Sequence, residues 1–477
     1  MLKEKKISYI LCGLCLNLAS VSVHAFVNPI YNFTINGFVS GGLAISNANT
    51  ITFVDPLFHQ SIREVPLYLG IGQEPTAEED TLGGIQVNMN LFDPKASIVV
   101  QLVATGSNNY NVQTDWAYFN YEFNDMFAVR VGRVLLPVLL YSDYVNVRYA
   151  YPWLRLPQEV YSLASTEDTG GVLLDFKVPV FNSWLLEITE VPFSSTSEPA
   201  AGVGNALQTA KVYGATDIRL SNENATFRIG YLHANVVISD LPQEITLSQG
   251  LIEAPCTTLT SFFDVRTPGT SLGGQCDVYL MSGPGAPLLS AGLTGAPDIA
   301  NEFVQRFSED VYSAGYDVRW HNFRSIGEYI YAGSSPNILI IPALESWYVS
   351  LGYRVQEVVT TFTYAQARTR NNNIRDVNSP LLNSWVNPFY VTIPGNFSPS
   401  GLPIGPSMQN SLDAFLELVE LAQNSYSIDV RWDAIDSVAL KAQMQWIDPK
   451  DKIGIGLFSI PPGKIVSIFS VGVDAVF

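Results

Sequence analysis

The sequence is short of charge. Asp, Glu, Lys and Arg make up 15% of its 477 residues, where soluble proteins average about 25%. It is also short of histidine and cysteine, with four of each. Beyond its N-terminal segment it has no run of roughly 18 apolar residues, the length a transmembrane helix needs. Each shortage excludes something. Outside the N-terminal segment the histidines are His59, His233 and His321, and no Gly-x-Ser-x-Gly stretch accompanies them. Hydrolytic chemistry therefore lacks its usual acid–base and nucleophile parts. No His/Cys grouping has zinc spacing, so no metal and no cofactor is expected. A net charge of −18 argues against nucleic acid as a partner. The missing apolar runs exclude a helical membrane bundle, although 47% of residues are hydrophobic and mean hydropathy is +0.16. A chain apolar on average but never in long runs has spread its apolar residues thinly, as alternating strands do.

The N-terminus reads as a secretory signal. Lys3, Lys5 and Lys6 form a basic start, Ile7 to Val23 is mostly apolar, and Val23-His24-Ala25 is a small-residue cleavage site. The expected organisation is a signal peptide over 1–25 and one domain over 26–477. The alternative is an uncleaved anchor, for which the apolar run is short. Cleavage removes three Lys and one Glu and takes the net charge from −18 to −20. Cys12 and Cys15 leave with it; neither follows the small residue of a lipobox. Cys256 and Cys276 remain, in a Gly/Pro/Thr-rich stretch. They read as one disulfide closing a loop, with two free thiols as the alternative.

The rest of the chain reads as strands joined by alternately short and long connections. Short ones fall at Asp93-Pro94-Lys95, Asn124-Asp125, Asn182-Ser183, Asn222-Glu223-Asn224, His321-Asn322, Gln356-Glu357 and Asp433 to Asp436, all turn-forming residues between alternating runs. Seven tight turns imply sixteen strands, and an even number is the rule for bacterial single-chain barrels. Eighteen stays open if Asp451–Ile460 or part of a long loop pairs. Long connections run roughly over 47–80, 106–114, 136–168, 194–206, 239–300, 333–346, 370–423 and 448–463. Compact soluble domains seldom carry so many. The strands alternate: Ala117, Phe119, Tyr121 and Phe123 share one face with Asn120 and Glu122 on the other; Val438 to Trp446 places Lys441, Gln443 and Gln445 opposite an apolar face. A β-sandwich would also alternate. The signal, the aromatic strand ends and the strand number favour an all-β, transmembrane antiparallel barrel, apolar outside and wet inside.

A weak repeat, Asp217-Ile-Arg219-Leu, Asp317-Val-Arg319-Trp and Asp429-Val-Arg431-Trp, with Gly352-Tyr-Arg354-Val as a looser copy, runs into short turns. It places an Arg on the polar face each time, where a carboxylate two residues away on the same face can satisfy it. Glu74 to Asp80 is an acidic stretch, either a divalent-cation site beside lipopolysaccharide phosphates or simply solvated.

The third long connection is the informative one. Arg133 to Tyr161 contains Pro137, Pro152 and Pro157, which keep it out of a ladder, and Tyr141, Tyr144, Tyr149, Tyr151, Trp153 and Tyr161. It is too apolar to stand in solvent, and the barrel interior is the nearest surface. Here the chain resembles the bacterial porin superfamily. The resemblance rests on Phe127-Ala-Val-Arg-Val-Gly-Arg133 leading into the loop, on Tyr151-Pro-Trp-x-Arg-x-Pro157, on the count of sixteen strands, and on the alternating last strand Phe469 to Phe477. A terminal Phe on such a strand resembles the signal read by the barrel-assembly machinery. The Pro-Glu-Phe-Gly stretch of enteric porins is absent from the loop.

The resemblance implies that the third loop folds inward and narrows a pore, with loop acids facing wall arginines, in a homotrimer in the outer membrane of a Gram-negative bacterium, among lipopolysaccharide. Carried over by position, the constriction would be formed by Asp143, Arg148, Arg155, Glu159, Glu167 and Asp168 on the loop and Arg130 and Arg133 at its root. Arg219, Arg228, Arg319, Arg354 and Arg431 would lie along the inner wall. Arg130 alternates inward with Ala128; Arg133 alternates toward lipid unless a bulge turns it. The expected function is passive diffusion of small hydrophilic solutes. A channel selective for sugars or aromatic compounds, and a surface adhesin built on the long loops, are the alternatives.

Overall fold

The computed structural model describes residues 26–28, 33–47, 71–91, 93–106, 109–161, 168–181, 183–199, 207–239, 305–335, 343–370, 422–450 and 464–477. Residues 1–25, Glu167, Cys256 and Cys276 lie outside them. The strands are β1 (Phe26–Asn28), β2 (Phe33–Ser46), β3 (Leu82–Asn90), β4 (Ala96–Thr105), β5 (Val112–Asn124), β6 (Phe127–Leu135), β7 (Asp168–Pro179), β8 (Leu185–Pro199) and β9 (Leu207–Ser221). There follow β10 (Ala225–Ser239), β11 (Gln305–Trp320), β12 (Phe323–Ser335), β13 (Leu344–Val355), β14 (Val358–Thr369), β15 (Ala422–Ile435), β16 (Val438–Asp448) and β17 (Val466–Val476).

Each strand from β2 to β17 pairs antiparallel with its neighbours in sequence, and β17 returns to β2 with Ile468 opposite Ser46 and Val476 opposite Phe38. The sheet is therefore a closed sixteen-stranded barrel, and the eighteen-strand alternative is not adopted because the ring already closes. At the seam, Gly37 and Phe477 exchange both backbone hydrogen bonds (2.8 and 2.9 Å), and the Phe477 ring lies over Gly37. The short β1 pairs with Phe33 to Ile35, the part of β2 that β17 does not reach.

Six of the seven short turns join consecutive strands at the expected residues or within one residue of them. Ser183, His321, Gln356 and Ser437 have φ of 65, 53, 53 and 67°, the left-handed geometry that two-residue hairpins favour. Three boundaries differ. A register shift between Trp432 and Ile435 carries β15 to Ile435, so its turn is Asp436-Ser437. Strands β8 and β12 run to Pro199 and Ser335, deep into stretches expected to be connections, because their ladders continue past the last apolar residue.

The outside is apolar and exposed. Near the tight turns it carries rings: Trp320 is 69% exposed, Phe123, Phe127 and Phe176 stack in sequence (5.1 and 4.9 Å), and Phe323 meets Tyr353 at 4.7 Å. This is the aromatic girdle of a lipid-facing barrel. The inside departs from a uniformly polar wall. Leu173, Val191, Val212, Leu232, Val311, Ile326 and Ile330 are buried there in one cluster. The third connection covers them, so these strands are buried on the inner side as well as facing lipid.

Candidate functional site

The loop from Leu136 to Tyr161 lies inside the barrel. Its own Leu139, Tyr141, Trp153, Leu156 and Val160 complete the inner cluster. Trp153 is 1% exposed, set edge-on to Tyr141 (5.7 Å) and Tyr348 (5.6 Å), and its indole N–H donates to Thr363 Oγ1 at 2.8 Å. An aromatic core of this kind needs a partner for each polar edge, and the wall supplies them.

The loop can be followed around the ring by its hydrogen bonds. Ser313 on β11 donates to the Val138 carbonyl (2.5 Å). Glu328 on β12 accepts from the Leu140 N–H (2.6 Å) and the Tyr161 hydroxyl (2.7 Å), clasping both ends of the loop. Arg219 on β9 pairs with Asp143 (2.8 Å). Asn146 donates to Asp115 on β5 (3.1 Å), and Val147 packs against Phe38, Leu82 and Val103. Arg431 on β15 donates to the carbonyls of Tyr149 (2.5 Å) and Tyr151 (3.0 Å).

Lys441 on β16 donates to three carbonyls, those of Arg148 (2.6 Å), Trp153 (2.8 Å) and, shared with Arg431, Tyr151 (2.8 Å). An ammonium has three N–H donors, and the three carbonyls take them. Asp474 Oδ2 lies 2.8 Å from the ammonium and balances its charge. Arg155 is buried and clamps Asp80 with two hydrogen bonds (2.7 and 2.5 Å) while also reaching Ser470 (2.8 Å).

Asp80 thus belongs to the interior. The acidic stretch that ends there is neither wholly solvated nor gathered for a cation: Asp80 is 2% exposed and faces Arg155 and Arg148, and among the described residues no three acidic, His or Cys side chains group as metal ligands. Ahead of β3, Thr76 pairs with Ala44 of β2 in an isolated antiparallel bridge.

The remaining expected site residues are placed as follows. Arg130 faces inward and is held by both oxygens of Asp175 (2.6 Å each). Arg133 stands opposite Ala117, in register with outward Val131 and Phe119, so it lies on the outer side and away from the loop. The ladder has no shift there to turn it inward. Glu159 is buried against Gln423 (2.7 Å). Asp168 opens β7 opposite Leu135. Arg228 is buried on Asp217; Arg354 and Arg431 share Asp433 (3.1 and 2.6 Å). Arg319 is more than half exposed and 3.7 Å from Asp317, which is instead held by Arg324 (2.9 and 2.6 Å).

The Asp-x-Arg repeats are therefore not self-satisfying pairs. Only Arg319 is near the Asp of its own repeat; Arg219 bonds to Asp143 on the loop, and Arg431 pairs with Asp433, two residues on, while also donating to the loop carbonyls. Lys441, Glu328, Asp115, Arg324 and Asp80 also hold the loop, a role the sequence pattern does not reveal. The available signal was polarity on inward positions, which does not say what lies opposite.

Between the loop and β4–β9 remains a cavity of about 380 Å³, lined by Asn120, Glu122, Arg130, Lys177, Glu187 and Thr189 and roofed by Pro137 and Asp143. Its walls descend toward the tight turns. The segment Asp143 to Asn146 bridges it, tied to Arg219 at one end and Asp115 at the other. Burial works to raise the pKa of Asp143, but the guanidinium groups of Arg228, Arg219 and Arg130 outweigh it and hold the carboxyl below its ordinary value. It is a fixed negative charge on the lining of this cavity.

No protein-family model matches the chain, and no curated protein matches it in sequence. Several solved structures are similar to it. One is OmpT, an outer-membrane protein of Vibrio cholerae (8% identity, 95% of this chain and 100% of that one, TM-score 0.47). A second is OmpF of Salmonella typhi in complex with daunomycin (8% identity, 95% and 100%, TM-score 0.46). A third is the anion-selective porin of Comamonas acidovorans (10% identity, 93% and 99%, TM-score 0.44).

Proposed function

We propose that this protein is an outer-membrane porin, a non-enzymatic channel through which small hydrophilic solutes and ions diffuse passively. The observation that carries this reading is a closed sixteen-stranded barrel with an apolar, ring-edged outside and, inside, a charged cavity narrowed by its third loop. Barrels of this strand number are wide enough to leave an aqueous channel. Export by a cleaved signal over 1–25, recognition of the strand ending at Phe477 by the barrel-assembly machinery, residence among lipopolysaccharide and assembly as a homotrimer belong to the same reading.

Purified protein in a planar bilayer is expected to give stepwise conductance; its absence sinks the proposal. Asp143→Asn is expected to shift the zero-current potential in a salt gradient toward anions, since a fixed charge is removed beside Arg219 and Arg228; an unchanged potential places the ion path elsewhere. On a denaturing gel, an unheated sample is expected to migrate as a trimer and a heated one as a monomer. A single band at monomer position in both would remove the trimer from the reading.

A selective channel is the second reading. It is favoured by Trp116 and Tyr118, rings 6.3 Å apart that line the cavity, with Arg130 5.9 Å over the Tyr118 ring. Current block by an aromatic acid or a sugar, and not by other solutes of the same size, would decide for it.

A further inference from the structure

The end of the loop is held at one place by a carboxyl that pairs with no cation among the described residues. Glu159, in the helical turn Gln158–Tyr161, is 0% exposed. Its Oε1 accepts from Gln423 Nε2 at 2.7 Å. Its Oε2 and the Oε1 of Gln423 are both buried, and neither has a hydrogen-bond partner. Two unsatisfied oxygens thus sit on the two side chains already joined by one hydrogen bond.

Among the described residues no basic side chain is paired with Glu159. The helical turn packs against β12, β13 and β14, with β15 supplying Gln423. From β12 the facing titratable group is Glu328, occupied by Leu140, Tyr161 and Tyr348. From β13 it is Tyr348. Strand β14 turns Ala365 and Ala367 inward, with Tyr364 on its outer side; the Arg368 and Arg370 guanidiniums are bound to Glu345. On β15, Asp429 is bound to Ser427, Gln443 and the Leu154 N–H, and Arg431 to Asp433. Within the loop, Arg155 is bound to Asp80. An ionised carboxylate in such a place is strongly disfavoured.

We infer that Glu159 is protonated in the folded protein and forms a two-hydrogen-bond acid–amide pair with Gln423, a proton-dependent lock on the third loop. One proton on Oε2, donated to Gln423 Oε1, satisfies both orphaned oxygens at once. The pair is the side-chain equivalent of an amide dimer. Burial accordingly raises the Glu159 pKa, and the contacts with Gln423 and Ser425 pull it back by less. Because the docked-state value lies above that of a solvated Glu, the lock contributes fully at low pH and is lost as pH rises through the docked value. The proton then passes to water, and two oxygen acceptors are left against each other. The loop loosens on the alkaline side.

This inference rests on the channel reading for its readout, and the two can fail separately. In planar bilayers, wild-type conductance and current noise are expected to rise with pH, while Glu159→Gln, which supplies a permanent N–H in place of the acid O–H, holds the low-pH level throughout. Glu159→Gln tracking the wild type at every pH, or a wild type that does not respond to pH, overturns the lock. If neither protein conducts at any pH, the channel reading fails and infrared spectroscopy decides the pair. A carboxylic-acid band present in wild type and absent from Glu159→Gln supports it; identical spectra overturn it. Gln423→Met is the second variant: the acid band is expected to shift as its carbonyl loses the amide donor, and an unshifted band counts against the pairing.

Discussion

Replacing Lys441 by methionine is expected to release the middle of the third loop while leaving the barrel folded. The side chain is 1% exposed, and its ammonium is the sole donor to the Trp153 carbonyl and one of two to the Tyr151 carbonyl in the hydrogen bonds above. Methionine fills the same volume but leaves three carbonyls short of a donor and Asp474 without its counter-charge. Breaking a buried charge pair by removing one partner costs roughly 3–5 kcal/mol. The strands do not bear that cost, because the ladder of β16 with β15 and β17 is backbone to backbone. The loop bears it. Limited proteolysis should cut between Arg148 and Arg155 in Lys441→Met and not in the parent, and channel recordings should show larger, noisier openings. Equal protection in both proteins would mean that Arg431 and the aromatic packing suffice to hold the loop.

The second large effect is expected at Arg155. It joins three parts of the chain far apart in sequence: the loop, Asp80 before β3, and Ser470 on β17. Arg155→Met leaves Asp80 buried with only the longer contact to Arg148 (3.4 Å). A loss of roughly 3–5 kcal/mol is expected, read as a lower denaturant midpoint for heat- or urea-driven unfolding from detergent. Asp80→Asn should lose a comparable amount, because it strands the guanidinium instead. The double variant should recover part of the sum, with a coupling of about 0.5–3 kcal/mol. Strict additivity would mean that the two groups do not depend on each other.

Much of the fold was legible in residues a few positions apart. Asn, Asp, Ser or Pro marked six of the seven short turns because each can adopt or stabilise the tight backbone a hairpin requires, and Gln356-Glu357 marked the other by interrupting the alternation. Period-two alternation separated lipid-facing from inward positions, and it placed Arg130 inward and Arg133 outward. The loop betrayed itself by being too aromatic for water. The inner apolar wall was less legible. Val172, Leu173 and Leu174 are apolar on both faces of β7, a pattern that asks for burial on both sides, but one strand does not say what covers its second face. The ion pairs were least legible. Arg219 has an Asp two residues away and bonds instead to Asp143, 76 residues off. Arg155 finds Asp80 at a separation of 75 and Ser470 at 315.

The sequence by itself determined that this chain is a barrel of alternating strands, where it turns, and which connection cannot remain in solvent. Those are local properties, set by backbone geometry two to four residues at a time and by the free energy of wetting apolar side chains. Tertiary structure alone decided where that connection lands, that Lys441, Glu328 and Asp80 hold it, and that Glu159 is enclosed against Gln423. Such partners meet only because β17 closes onto β2 and brings remote strands around one lumen, a condition of the whole ring.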